Sequence, residues 1–212
     1  HSANPISVGW VAGGSSKGAS NVAIGTNAGK QITGNNNISL GNTAGTVTNN
    51  NVYTSESILL GTEARVKGST SSKSVNNVIA IGKSAEGSAA SATSIGINAS
   101  ASAENAMALG PSSKATAYNG VALGSFSEAN TAGGTAGYNA NTSRTDKYAG
   151  LNGLALTANT GAVSIGSSTK TRQITNLAAG TNDTDAVNVA QLKSVNLAVK
   201  GNSGAGGDVN LA

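Results

Sequence analysis

Four short phrases, IAIG at 79–82, TSIG at 93–96, MALG at 107–110 and VALG at 121–124, end on evenly spaced glycines, each fourteen positions after the last. Five more copies flank them: ISVG at 6–9, VAIG at 22–25, ISLG at 38–41, ILLG at 58–61 and VSIG at 163–166. The early copies stand further apart, with their glycines at positions 9, 25, 41, 61 and 82. So strict a period implies stacked copies of one small unit, because equivalent residues must meet their neighbours in register.

Within each copy the residues three and one before the glycine are Val, Ile, Leu or Met, with Thr93 as the exception, and the residue between is Ala or Ser except at Leu59. Alternation with period two is a strand signal. A shorter alternation follows the glycine. The third residue on is small (Ala85, Ala99, Ser113, Ser127) and the next accepts charge (Arg65, Glu86, Lys114, Glu128, Lys170). Its neighbour is again small at Ala101, Ala115 and Ala129.

Two short strands joined by a glycine corner describe one coil of an all-β parallel solenoid, with neighbouring coils stacked ~4.7 Å apart. Gly25, Gly41, Gly61, Gly82, Gly96, Gly110, Gly124 and Gly166 are the expected corner residues, at positive φ. The Val/Ile/Leu pair is expected to fill the interior against the small residues of the second strand. The Ala/Ser face between them is then left flat for self-association. The polar excess of the longer units, TGNNN at 33–37, TVTNNNVYTSE at 46–56 and STSSKSVNN at 69–77, reads as surface loops.

Composition suits a thin core. The chain has one Phe, one Trp, one Met and four Tyr against 29 Gly, with 38% apolar and 10% charged residues. The net charge of +4 is scattered and without interleaved aromatics, so no nucleic-acid partner is expected. No Cys is present, which removes disulfides and thiolate metal sites. The single histidine, His1, opens the chain, and Glu86, Glu104 and Glu128 converge on no cleft, so neither catalysis nor a cofactor is expected. The NDTD run at 182–185 lacks the glycine and distal Glu of a calcium loop, so no metal is expected there. No apolar run approaches the ~20 residues needed to span a bilayer, and His1-Ser2 reads as the edge of a longer protein.

The repeat lapses over 131–161, which contains Arg144, Asp146 and Lys147 and reads as an insertion in the array, and resumes at 162–171. From 172 the character changes. Asp183 or Thr184 offers a helix N-cap, with Asp185 in the first turn. Val189, Leu192, Asn196 and Val199 then follow at 3-4-3 spacing, as a and d positions of a short coiled coil. The alternative is a lone amphipathic helix packed on the solenoid end. Residues 201–212 are a Gly-rich tail or the start of a further segment.

NVAIGTNAG at 21–29 and GVALGSFSEA at 120–129 resemble the repeats of YadA-like heads in trimeric autotransporter adhesins. RQITNLAAGTNDTDAVNVAQLKSVN at 172–196 resembles their neck, and 131–161 is similar to a head insert. The resemblance implies a left-handed parallel β-roll head over 1–130, a last head repeat at 162–171, and a neck with the start of a coiled coil over 172–200. It also implies a homotrimer on the surface of a Gram-negative bacterium, projecting from the outer membrane through an anchor outside this chain, with no direct membrane contact by this stretch. Implied partners are matrix proteins of the collagen, fibronectin or laminin class, host cells or other bacteria. Arg65, Glu86, Lys114, Glu128 and Lys170 are the candidate contact surface. The competing readings are a non-adhesive spacer of a surface or phage fibre and an ice-binding solenoid; the latter lacks a continuous Thr ladder.

Overall fold

The computed structural model describes residues 5–46, 52–68, 70, 72–139 and 151–194. The chain divides into two compact units, His1–Tyr138 with Leu156–Arg172, and Asn139–Ala155 with Gln173–Ala212.

The first unit is a parallel β-solenoid. Among the described residues, each copy of the repeated phrase contributes one strand to a nine-stranded sheet that runs from Ile6–Val8 to Val163–Ser164 in sequence order. The register is set by the repeat itself: Ile79, Thr93, Met107 and Val121 pair in one column, and Ile81, Ile95, Leu109 and Leu123 in another. The opposite side is a five-stranded parallel sheet of Arg65–Val66, Glu86–Gly87, Ser100–Ala101, Lys114–Ala115 and Glu128–Ala129.

The interior differs from the sequence-based expectation. The residue in the middle of each phrase points inward: Ala23, Ser39, Leu59, Ala80, Ser94, Ala108 and Ala122 are buried. The larger pair around it faces outward, with Ile81 half-buried and Ile95 40% exposed. Alternation shows that a strand has two faces but does not say which is inside. The short, regular coil encloses room for one small side chain per strand, and alanines at 92, 99, 101, 106, 108, 115, 122 and 129 fill it. Two Val/Ile/Leu side chains per strand exceed that space.

The longer early coils enclose more. There the core is Ile32, Val52, Leu59, Val66, Val75 and Val78. Their second strand lies further from the glycine corner, at Ile32–Thr33 and Val52–Tyr53, which pair with each other in a separate sheet. Stretches expected as polar loops therefore contribute to the core. Val52 and Val75 are buried, and Asn37 is buried in a ladder of amides and hydroxyls. The backbone and side-chain N–H groups of Asn37 donate to Asn21 Oδ1 (3.0 and 3.1 Å), Ser57 N donates to Asn37 Oδ1 (3.1 Å), and Val78 N donates to Ser57 Oγ (3.0 Å). Each group in this ladder finds a partner one coil away, as burial demands.

The glycine corners adopt positive φ, from 103° at Gly124 to 132° at Gly96. Gly166 departs from this. It is absent from the positive-φ corners and lies instead beside a tight turn closed between Ser167 and Lys170. An added Cβ there would meet the Lys170 carbonyl oxygen at 2.3 Å, so glycine serves close approach rather than left-handed backbone. Val121 pairs with Val163 across the repeat's lapse, and within it Gly134 and Gly137 donate to the carbonyls of Ala158 and Leu156. Arg144, Asp146 and Lys147 lie outside the described residues.

The second unit includes the helix Val189–Ser194. Its N-cap is Asn188, not Asp183 or Thr184. Asn188 Oδ1 accepts from Gln191 N (2.9 Å) while Gln191 Oε1 accepts from Asn188 N (3.3 Å), a reciprocal capping box. Asn196, Val199 and residues 201–212 lie outside the described residues.

Candidate assembly and ligand surfaces

The roll presents two chemically opposite faces. On the nine-stranded sheet, the outward positions form two columns of Val, Ile, Leu, Met and Thr93. Ile6, Val8, Ile24, Ile38, Ile95, Leu123 and Val163 are all exposed. Nine strands at ~4.8 Å spacing make this stripe about 40 Å long. At a width of about 10 Å it covers on the order of 400 Å², the size of the largest apolar patch on a typical monomer, which is often an interaction surface.

The five-stranded sheet carries the charge. Arg65, Glu86, Lys114 and Glu128 fall in one column, in register through Ser100. Glu86 departs from the expected solvated position. Its side chain is only 10% exposed and is held by Arg65 Nη2 (2.7 Å) and Lys67 Nζ (3.2 Å). A second Arg65 contact, Nε to Oε2 at 2.9 Å, fixes the guanidinium. Glu86 therefore ties its coil to the one before and is not itself free for a ligand. Lys114 and Glu128 are more exposed and only loosely paired, at 3.9 Å. Lys170 sits in the terminal turn with its ammonium 5.1 Å from the centre of the Phe126 ring. Among the described residues, no group of three or more His, Cys, Asp or Glu side chains is placed to hold a metal ion.

Arg172 is a structural cap that sequence reasoning missed. Its guanidinium lies over Gly124, 3.1 Å from where a Cβ would be. It donates to Ser127 Oγ (3.0 Å), to the Ile165 carbonyl (2.6 Å) and to the Ser125 carbonyl. It thus donates where the next coil's backbone would have donated, closing the end of the roll. The available signal was a lone arginine at the point where the repeat stops.

In the second unit, Gln191 reaches back to the chain before the helix, accepting from Gly180 N and donating to Gly180 O, both at 2.8 Å. Asp185 closes the loop at its other end, accepting from Asn182 N and Thr181 N at 2.9 Å. The Asn182 amide first, then the Thr181 amide, hold its carboxyl below the usual range. A depressed folded-state pKa contributes order that is present above the unfolded value and lost as the folded pKa is crossed from above. Acidification through and below about pH 4 is therefore expected to open the 181–185 loop. The Thr181 and Asn182 amide resonances should titrate together, and Asp185→Ala should abolish that titration. Val189 and Leu192, the described members of the expected coiled-coil core, are 67% and 68% exposed on the single chain.

Comparison with known proteins adds to this geometry. The model of the YadA head domain repeat matches residues 88–113, 101–127 and 115–137. The model described as the coiled stalk of trimeric autotransporter adhesin matches residues 173–210. Among solved structures, the crystal structure of the collagen-binding domain of Yersinia adhesin YadA is 28% identical. The match covers 84% of this chain and 83% of that one, with a TM-score of 0.46.

Proposed function

We propose that the chain, in which residues 88–137 match the YadA head domain repeat and 173–210 the coiled stalk of trimeric autotransporter adhesin, is the head of a homotrimer displayed on a Gram-negative cell surface. Residues 1–130 and 162–171 form the β-roll of each subunit, 131–161 the insert, and 172–200 the neck and start of the coiled coil. The observation that carries this reading is the outward apolar face of the nine-stranded sheet. A lone chain leaves that face in water, whereas three left-handed rolls packed side by side bury it at about 25 cal/mol per Å². Val189 and Leu192 join the same logic in the neck, where three helices cover side chains that one helix leaves exposed.

Assembly leaves the charged sheets facing outward, three to a head. The trimer then offers repeated weak sites, and simultaneous engagement converts modest contacts into avidity. Lys114, Glu128 and Lys170 are the available contacts, with Arg65 partly committed to Glu86. The function is non-catalytic attachment to matrix proteins of the collagen, fibronectin or laminin class, to host cells or to other bacteria. Purified protein should bind at least one such immobilised target saturably, with tighter apparent affinity at high target density. A trimer without saturable binding to any protein, glycan or cell surface would be a spacer instead.

A further inference from the structure

The corner that follows each of the eight positive-φ phrase glycines, Gly9 to Gly124, repeats one backbone conformation. Its second residue is Val11, Asn27, Thr43, Glu63, Ser84, Asn98, Ser112 or Phe126, with φ between 54° and 61°. Asn tolerates this left-handed region, whereas a bulky side chain there costs on the order of 1 kcal/mol or more. Phe126 is the chain's only phenylalanine, and it stands at this corner with 48% of its surface exposed. Burial does not offset the strain.

The ring borders a groove of about 400 Å³ on the charged side of the roll, lined also by Asn98, Ser112, Lys114, Glu128, Thr169 and Lys170. Two lysines against one carboxylate leave this lining with one net positive charge. Lys170 lies against one side of the ring at 5.1 Å, and Lys114 is held only at 3.9 Å by Glu128. Asn98, Ser112 and Thr169 offer an amide and two hydroxyls. An exposed aromatic surface, ammonium groups and neutral hydrogen-bonding groups along one groove match the three needs of an acidic sugar: a C–H face to cover, a carboxylate to pair and hydroxyls to bond.

We propose that the groove beside Phe126 binds an acidic saccharide, a chain bearing uronic or sialic acid. The site rests on the adhesive reading, for which it names a ligand class. Phe126 supplies the stacking surface, Lys170 and Lys114 the charge, and Glu128 accepts from a sugar hydroxyl.

The test titrates the whole chain with a hyaluronan tetrasaccharide, with sialyllactose and with neutral lactose, by calorimetry at low salt. Binding of at least one acidic ligand and not of lactose is expected, and it identifies which acid is the source. Phe126→Asn places at this corner the residue found at Asn27 and Asn98, so it should keep or raise the Tm while weakening binding at least tenfold. Lys170→Gln should also weaken binding at least tenfold. Failure of both acidic ligands to bind, equal binding of lactose, or a Phe126→Asn or Lys170→Gln protein that binds as before would each overturn the site. The same proteins are assayed on immobilised collagen, fibronectin and laminin. Matrix binding without saccharide binding removes this site and leaves adhesion standing; saccharide binding without matrix binding keeps the site and removes those matrix partners.

Discussion

Gly96→Ala is expected to destabilise the roll by about 3 kcal/mol or more, through two effects that act together. Gly96 has a φ of 132°, a conformation that L side chains rarely adopt. A Cβ built there would also lie 2.6 Å from the Gly110 carbonyl carbon and 2.8 Å from Pro111 N in the next coil. Those atoms are backbone, already committed to the coil stack, so relief requires moving a whole coil. Gly68→Ala separates the two effects. Gly68 also has positive φ, 77°, but its Cβ would find only the Ser88 carbonyl, at 4.0 Å. That change should cost about 1 kcal/mol. Thermal unfolding of the two variants reads the difference directly, at roughly 2–4 °C per kcal/mol for a chain of this size. Equal losses would mean that the coils are not stacked as closely as the glycine column requires.

Ile81→Asp is expected to leave each roll folded and abolish the proposed trimer. Ile81 pairs in register with Leu60 and Ile95, in the middle of the apolar stripe. Its side chain points away from the alanine-filled interior, so a carboxylate there stays in water on a single chain and costs that chain little. In the assembly the same change brings three carboxylates into an apolar seam, each carrying a desolvation penalty of several kcal/mol. Solution mass should fall from three chains to one while the far-ultraviolet dichroism is unchanged. Thr116→Asp, on the opposite, charged side of the roll, should remain trimeric. A trimeric Ile81→Asp protein would place the subunit contact on another face.

Much of this architecture was legible in the residues. The glycine intervals showed the coil and its circumference, because stacked coils must match in register and a one-residue slip would turn every later side chain over. The charged column through Arg65, Glu86, Lys114 and Glu128 was legible for the same reason. Three things were not. Glu86 belonged to that column but sits under Arg65 and Lys67, since a period does not record which long side chains fold over a neighbour. The helix N-cap moved from 183–184 to Asn188 because Asp183, Thr184, Asp185 and Asn188 are all capping types. The choice among them depends on Gln191 and Gly180, which are brought together by the chain path. Nothing in the repeat singled out Phe126; only the structure placed its half-exposed ring at a left-handed corner beside Lys170.

The amino-acid sequence by itself determined the repeat, its glycine corners other than Gly166, the boundary at Arg172 and the alternation within each strand. The tertiary structure alone decided which face of that alternation is the inside. Alternation is symmetric between the two faces, and the deciding quantity is the width of the closed coil. The short coils admit a column of alanines and turn Val, Ile and Leu outward, while the longer early coils also hold Ile32, Val52 and Leu59. That inversion moves the large apolar side chains from the core of the chain to the face that we propose as the seam among three.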